Sequence, residues 1–157
     1  DWEHDRLCLD CEAEGQQTAA QVTDIVNACL ERLKNITGRY PMIYSRAEWV
    51  NRKLQVTRMP KIDWWLAAYL KTLPKPLYTP EMTPPPPLPK GVSTWLIHQT
   101  TSRGKSIGAP SYYMDYDRWN GSSDDILAYF GLTDVPVPEP PLEEKVELLW
   151  DAHPELH

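Results

Sequence analysis

The stretch Arg6-Leu7-Cys8-Leu9-Asp10-Cys11-Glu12 is the one on which the fold reading turns. Its apolar start and acidic finish predict a buried strand over residues 6–12 that becomes polar towards its C-terminal end. Strand side chains alternate, so Asp10 and Glu12 share a face, with Cα atoms about 6.5 Å apart. In a parallel barrel, that end of a strand is where sites are built. Cys8 and Cys11 stand three apart and so face opposite sides. Their C-x-x-C spacing therefore predicts burial as free thiols and not a redox or zinc pair, and with Cys29 the cysteine count is odd, which describes no disulfide framework.

Outward from this strand, residues 18–34 predict a helix. Val22, Ile25, Val26, Cys29, Leu30 and Leu33 recur at three- and four-residue spacing and make one apolar stripe. Gly38 is placed to end it. A second strand follows over 41–45, a short helix carrying Trp49 over 46–54, and a third strand rich in Trp, Leu and Tyr over 63–70. Strand, helix, strand, helix, strand is the signature of βα units with a parallel sheet. The pattern then changes. Residues 73–89 hold eight prolines, which fit neither a helix nor a central strand and predict an extended loop. A fourth strand is expected over 93–100 and a fifth near 112–116. No helix fits between them, because 102–110 is polar and contains glycine. Ser123 predicts the N-cap of a helix over 124–129, closed by Gly131.

These elements divide the chain into a domain over 1–132, a semi-rigid linker over 133–141 made of Pro, Val and acidic residues, and a segment over 142–157. In the last, Leu142, Val146, Leu149 and Trp150 return at helical spacing. It reads as the start of a further, truncated module, with a helix docked on the domain as the alternative.

Composition narrows the function. A length of 157 residues suits one core but falls short of the roughly 250 of a complete (β/α) barrel. Seven Trp and eight Tyr stand against one Phe. Such side chains suit stacking on flat ligands, although core filling accounts for most of them. A net charge of −6 with scattered Lys and Arg argues against a nucleic-acid partner. No apolar run reaches the roughly 18 residues of a membrane helix, and residues 1–5 do not read as a signal peptide. His4, His153 and His157 have no ligand spacing and are expected as solvated surface. The sequon Asn35-Ile36-Thr37 is read as a chance match.

Asp10 and Glu12 have the residue types that glycoside hydrolysis uses: two carboxyl groups flanking the scissile bond, one of them protonated to assist the leaving oxygen. Proximity separates the pKa values of such a pair. D-x-E alone is a weak motif, and a solvated strand end would carry it equally well. Four further blocks add to it. Leu9-Asp10-Cys11-Glu12 resembles the D-x-E strand of the family 25 glycoside hydrolases, the muramidases. Thr37-Gly38-Arg39-Tyr40-Pro41-Met42-Ile43-Tyr44-Ser45 looks like that family's next strand. Trp64-Trp65-Leu66-Ala67-Ala68-Tyr69 is similar to its Leu-Trp-Ile-Ala-His-Tyr strand. Trp95-Leu96-Ile97-His98-Gln99-Thr100 resembles its W-x-x-W-Q-Y strand, and Met114-Asp115-Tyr116-Asp117-Arg118-Trp119-Asn120-Gly121-Ser122 its closing Val-Asp-Leu-Asn-x-Phe-Asn-Gly-Ser segment.

The resemblance implies an α/β fold, a modified (β/α) barrel whose last strands lack intervening helices, and cleavage of the β-1,4 bond between N-acetylmuramic acid and N-acetylglucosamine. It implies Glu12 as general acid, Asp10 as the group that orients substrate or stabilises the transition state, and Asp115 on the last strand lining the same site. Tyr44, Trp65, Tyr69 and Gln99 would form the sugar-binding walls, with no metal or organic cofactor. Peptidoglycan glycan strands are the implied partner. The implied setting is secretion or phage delivery to the bacterial wall, with a wall-binding module elsewhere in the full-length protein. Ala68, His98 and Thr100 depart from the pattern and are expected to change the groove lining. The family's opening Gly-x-Asp strand and two further strands have no counterpart before Arg6, so the barrel is expected to be N-terminally incomplete, in a fragment of a longer protein. A non-catalytic glycan-binding or structural remnant and a chitinase-like barrel glycosidase are the competing expectations.

Overall fold

The computed structural model describes residues 4–69, 83–104 and 110–133. Five strands form one sheet in chain order: β1 (Cys8–Asp10), β2 (Met42–Ser45), β3 (Trp64–Ala67), β4 (Ile97–Thr101) and β5 (Tyr116–Trp119). The first four run parallel, and β5 returns antiparallel to β4. The helices are α1 (Ala19–Thr37), α2 (Ala47–Lys53) and α3 (Ser123–Tyr129), with a 3₁₀ turn at Val56–Arg58. This is an α/β fold with a mixed sheet, and among the described residues β1 forms one edge of it. Between β4 and β5 the described residues, 102–104 and 110–115, contain no α-helix. Nearly all of the expected linker and the whole C-terminal segment, with His153 and His157, lie outside the described residues, as do residues 73–82 of the proline-rich loop.

Local chemistry sets the helix ends. Thr18 and Gln21 form a reciprocal capping box at the start of α1, with Thr18 N–H donating to Gln21 Oε1 at 3.0 Å. At the other end Gly38 adopts a left-handed φ of 82° and donates its N–H to Lys34 O at 2.7 Å, so the helix runs one turn past the expected residue 34. The apolar stripe is narrower than its spacing suggests. Val26 and Leu30 are buried, but Ile25 is 58% exposed and Cys29 faces solvent. Thr23, a polar residue outside the apolar count, is buried in the same line. Its hydroxyl donates to Ala19 O at 2.7 Å and accepts from Gln55 N at 2.9 Å, which removes the cost of burying it.

The strand register sorts side chains onto two faces. Ile43 pairs with Trp64, Ser45 with Leu66, and Leu66 with His98. Together with Cys11, Val26, Leu30, Trp49, Val50 and Leu54, the residues Ile43, Trp64 and Leu66 make the core beneath the helices. Cys8 and Cys11 fall on opposite faces as expected, both free, and burial pushes their thiols up to about 11 and about 12.

Other boundaries also differ from expectation, with the third strand ending at Ala67 and not at 70 and the fourth beginning at Ile97 and not at 93. The first strand stops at Asp10, although Cys11 N still donates to Tyr44 O at 2.9 Å. The last strand begins at Tyr116, later than the expected 112–116. Ser122, not Ser123, caps α3, accepting from Asp125 N at 3.2 Å while Asp125 Oδ2 accepts from Ser122 N at 2.7 Å. His4 is also not simply solvated: its Nδ1 lies 3.0 Å from Phe130 O. Beside it Arg6 bonds Tyr129 O, and its guanidinium lies over the Tyr129 and Phe130 rings at 5.3 and 5.6 Å. Tyr129 OH donates to Asp63 Oδ2 at 3.0 Å. α3 thus ties the N-terminal ends of β1 and β3 together, away from the ends that carry Asp10 and Glu12.

His98 is fully buried on the helix-covered side. Arg118 Nε donates to its Nδ1 at 3.1 Å, so Nε2 carries the proton and donates to Ala68 O at 2.9 Å. Burial and the Arg118 charge hold its pKa below the ordinary 6.5. The unfolded chain therefore takes up a proton near pH 6.5 that the folded chain resists. Stability from this group is complete above pH 6.5 and is lost below it, by up to about 1.4 kcal/mol per pH unit. Melting curves from pH 7.5 to 5 should show this loss in the wild type and not in His98→Gln. Parallel curves for the two proteins would overturn the assignment.

Candidate active site

The face opposite the helices carries the acids and the aromatic walls. Asp10 is the register partner of Tyr44, Tyr44 of Trp65, Ala67 of Gln99, and Gln99 of Asp117. Parallel neighbours in register point the same way, so these side chains line one side of the sheet near its carboxyl ends. Beyond β1 the chain stays beside β2, because Ser45 Oγ donates to Cys11 O at 2.6 Å. That holds Glu12 at the rim, where Arg46 Nε donates to Glu12 Oε1 at 3.0 Å. Asp10 is exposed and has no hydrogen bond or ion pair to the described residues.

The walls interlock. Tyr44 and Trp65 meet edge to face with ring centroids 5.3 Å apart. Tyr44 OH donates to Gln99 Oε1 at 2.7 Å, and Tyr69 OH donates to the same oxygen. Gln99 thereby fixes two phenols from neighbouring strands. Burial, the Tyr69 hydroxyl and, more weakly, the charges of Glu12 and Asp115 all raise the Tyr44 pKa. Tyr44, Trp65, Tyr69 and Gln99 are therefore brought together.

Asp115 precedes the last strand instead of standing on it. The antiparallel return corrects for this, since Thr101 pairs with Tyr116 and the start of β5 lies at the carboxyl end of β4. Asp117 was missed by the sequence reading. It accepts from Trp65 Nε1 at 2.7 Å. The residue is open to solvent overall, yet its neighbours crowd the carboxyl and burial raises its pKa, with the Asp115 charge adding to the effect. The D-x-D alternation of Asp115 and Asp117 could have revealed it by the argument used for Asp10 and Glu12.

The departures at His98 and Thr100 do not alter the groove, because both side chains are fully buried. Ala68 does border it. One cleft of about 390 Å³ is lined by Arg46, Glu48, Ala68, Tyr69 and Thr83 among others, and a second of about 260 Å³ by Glu12, Glu14, Arg46, Glu48, Trp49 and Arg52. Among the described residues no group of three or more His, Cys, Asp or Glu side chains is placed to hold a metal ion.

Carboxylates at the strand ends of an α/β sheet, walled by Tyr and Trp, define the class of site that carbohydrate hydrolysis uses. The chain belongs to the glycosyl hydrolases family 25, whose sequence profile matches residues 2–109. Among solved structures it is similar to the bacterial lysozyme from Streptomyces coelicolor, at 25% identity and a TM-score of 0.64, covering 80% of this chain and 56% of that one. It is also similar to the family 25 lysozyme from Aspergillus fumigatus, at 24% identity and 0.56, covering 80% and 55%. The muramidase from Trichobolus zukalii follows at 21% identity and 0.55, covering 80% and 54%. The two fungal proteins bear on the fold alone. The chain spans little more than half the length of each of these proteins. None of the curated protein sequences matches it.

Proposed function

We propose that this chain carries most of the active site of a peptidoglycan hydrolase that cleaves the β-1,4 bond between N-acetylmuramic acid and N-acetylglucosamine. Glu12 acts as general acid: as the bond from C1 to the leaving O4 breaks, O4 takes the Glu12 proton, and water supplies the new hydroxyl on C1, its other proton passing to a carboxylate of the site and so restoring the acid. Asp10 orients substrate or stabilises the positive charge developing at C1, and Asp115 lines the same site. Tyr44, Trp65, Tyr69 and Gln99 hold the sugar rings. The observation that supports this reading is the interlocked wall of Tyr44, Trp65, Tyr69 and Gln99 on the sheet face that carries Asp10, with Glu12 held at its rim by Arg46. The full architecture we infer is a modified (β/α) barrel. Peptidoglycan strands are its partner, at a bacterial wall reached by secretion or phage delivery, and a separate wall-binding module accompanies it.

The Arg46–Glu12 pair favours a second reading, a domain that binds glycan without turnover, because it engages the candidate acid in an ion pair at the rim of the cleft. Reduction of digested wall with borohydride separates the cases. Muramidase cleavage leaves N-acetylmuramic acid at the new reducing ends, recovered as its alditol. Glucosamine alditol would overturn the bond assignment, and binding to wall without new reducing ends would establish the second reading. Release of chitin oligomers without wall lysis would point to the chitinase-like alternative.

A further inference from the structure

Arg46 stands at the junction of the two clefts and lines both. It is the first residue before α2, yet its side chain makes no capping hydrogen bond, so the helix does not need it. Its side chain is 59% exposed, and its one bond to the described residues runs from Nε to Glu12, which leaves the terminal nitrogens directed to other uses. The other arginine in the Glu12 cleft, Arg52, is engaged by Glu14. In the cleft bounded by Tyr69 and Thr83, Arg46 is the sole cation among the described lining residues. A chain of net charge −6 repels anions in general, so this guanidinium is a local exception beside the candidate acid.

We propose that Arg46 is a specificity-determining residue that binds a carboxylate of the glycan, transferring its guanidinium from Glu12 to that group as substrate enters. This rests on the peptidoglycan reading above. Arginine suits the role, since its planar fork matches a carboxylate in two parallel hydrogen bonds. Moving it off Glu12 also frees that carboxyl from its ion pair, so recognition of an anionic saccharide and release of the candidate acid are coupled. Two carboxylates of peptidoglycan have this chemistry: the lactyl group of a muramic acid without its peptide, and the acids of the peptide stem.

The test is a tryptophan-fluorescence titration, read within seconds of mixing, of wild type, Arg46→Gln and Arg46→Lys. The probes are chitotetraose, an alternating N-acetylglucosamine–N-acetylmuramic acid tetrasaccharide with free lactyl groups, and the same tetrasaccharide bearing acidic dipeptides on those groups. Arg46→Gln is expected to weaken a carboxylated probe about tenfold, the scale of one charge-assisted hydrogen bond, and to leave chitotetraose unchanged. Arg46→Lys should recover part of the loss. A loss confined to the free lactyl probe identifies that source, and one confined to the dipeptide probe identifies the stem. Equal losses on all three probes, or none on any, would overturn the proposal. Failure of the wild type to bind any probe would instead bring down the peptidoglycan reading, and this inference with it.

Discussion

Glu12→Gln is expected to lower the rate of peptidoglycan cleavage by about 10²–10⁴-fold, the range removed when a positioned general acid loses its proton. Glutamine keeps the shape of the side chain and an oxygen that accepts from Arg46 Nε, so the rim contact survives. What it lacks is a proton to deliver to the leaving oxygen. That interaction exists only as the bond breaks, so kcat should fall while the apparent affinity for wall stays close to that of the wild type. Folding should be almost untouched. Arg46 and Glu12 side chains are 59% and 31% exposed, and a pair so open to solvent contributes at most about 1 kcal/mol. The loss of turbidity in a peptidoglycan suspension, measured beside a thermal melt, separates the two effects. Equal clearing by both proteins would remove Glu12 from the role of acid and leave Asp10, Asp115 or Asp117 to supply it.

The candidate acids Asp10 and Glu12 stood out in the sequence because strand alternation is a strong local rule. Three apolar residues followed by Asp10-Cys11-Glu12 predict which acids share a face without any tertiary information; the parallel register covers Asp10, and Glu12 lies beyond the end of the strand. Tyr44, Trp65 and Gln99 were legible through resemblance, since spacing alone does not say which aromatics turn away from the core. Asp117 was not, because the corresponding residue of the resembled segment is Asn, and its partner Trp65 lies 52 residues away. The fate of Ile25 and Cys29 was illegible for a different reason. An apolar period marks which helix positions are able to be buried, but the width of the buried line depends on what packs against it. Here Val26 and Leu30 reach the core, and Ile25 does not. His98 was misjudged because its counterparts line a groove in the resemblance, whereas the register with Leu66 turns it into the core.

That distinction between buried and exposed apolar positions leads to the largest expected stability effect. Leu66→Ala should lower the unfolding free energy by about 2–5 kcal/mol, the range for truncating a fully buried leucine. Leu66 has no exposed surface, sits in the middle strand of the sheet, and joins the Ile43, Trp64 and Leu30 cluster. Its register partners Ser45 and His98 belong to strands paired on both sides, so the backbone is poorly able to collapse into the cavity. Such a loss is a large share of the roughly 5–15 kcal/mol that separates folded from unfolded domains, and it should lower Tm by about 10 °C. Ile36→Ala, at a helix position 48% exposed, is the control and should change stability by no more than about 0.5 kcal/mol. The consequence reaches the site as well. Trp65 and Ala67 flank Leu66 and point to the opposite face, so the core under β3 is what holds the Trp65 ring against Tyr44 and its indole N–H on Asp117. Leu66→Ala should therefore weaken glycan binding even at temperatures where the protein remains folded. Equal melting of the Leu66→Ala and Ile36→Ala proteins would show that the helix-covered face is not the core of this domain.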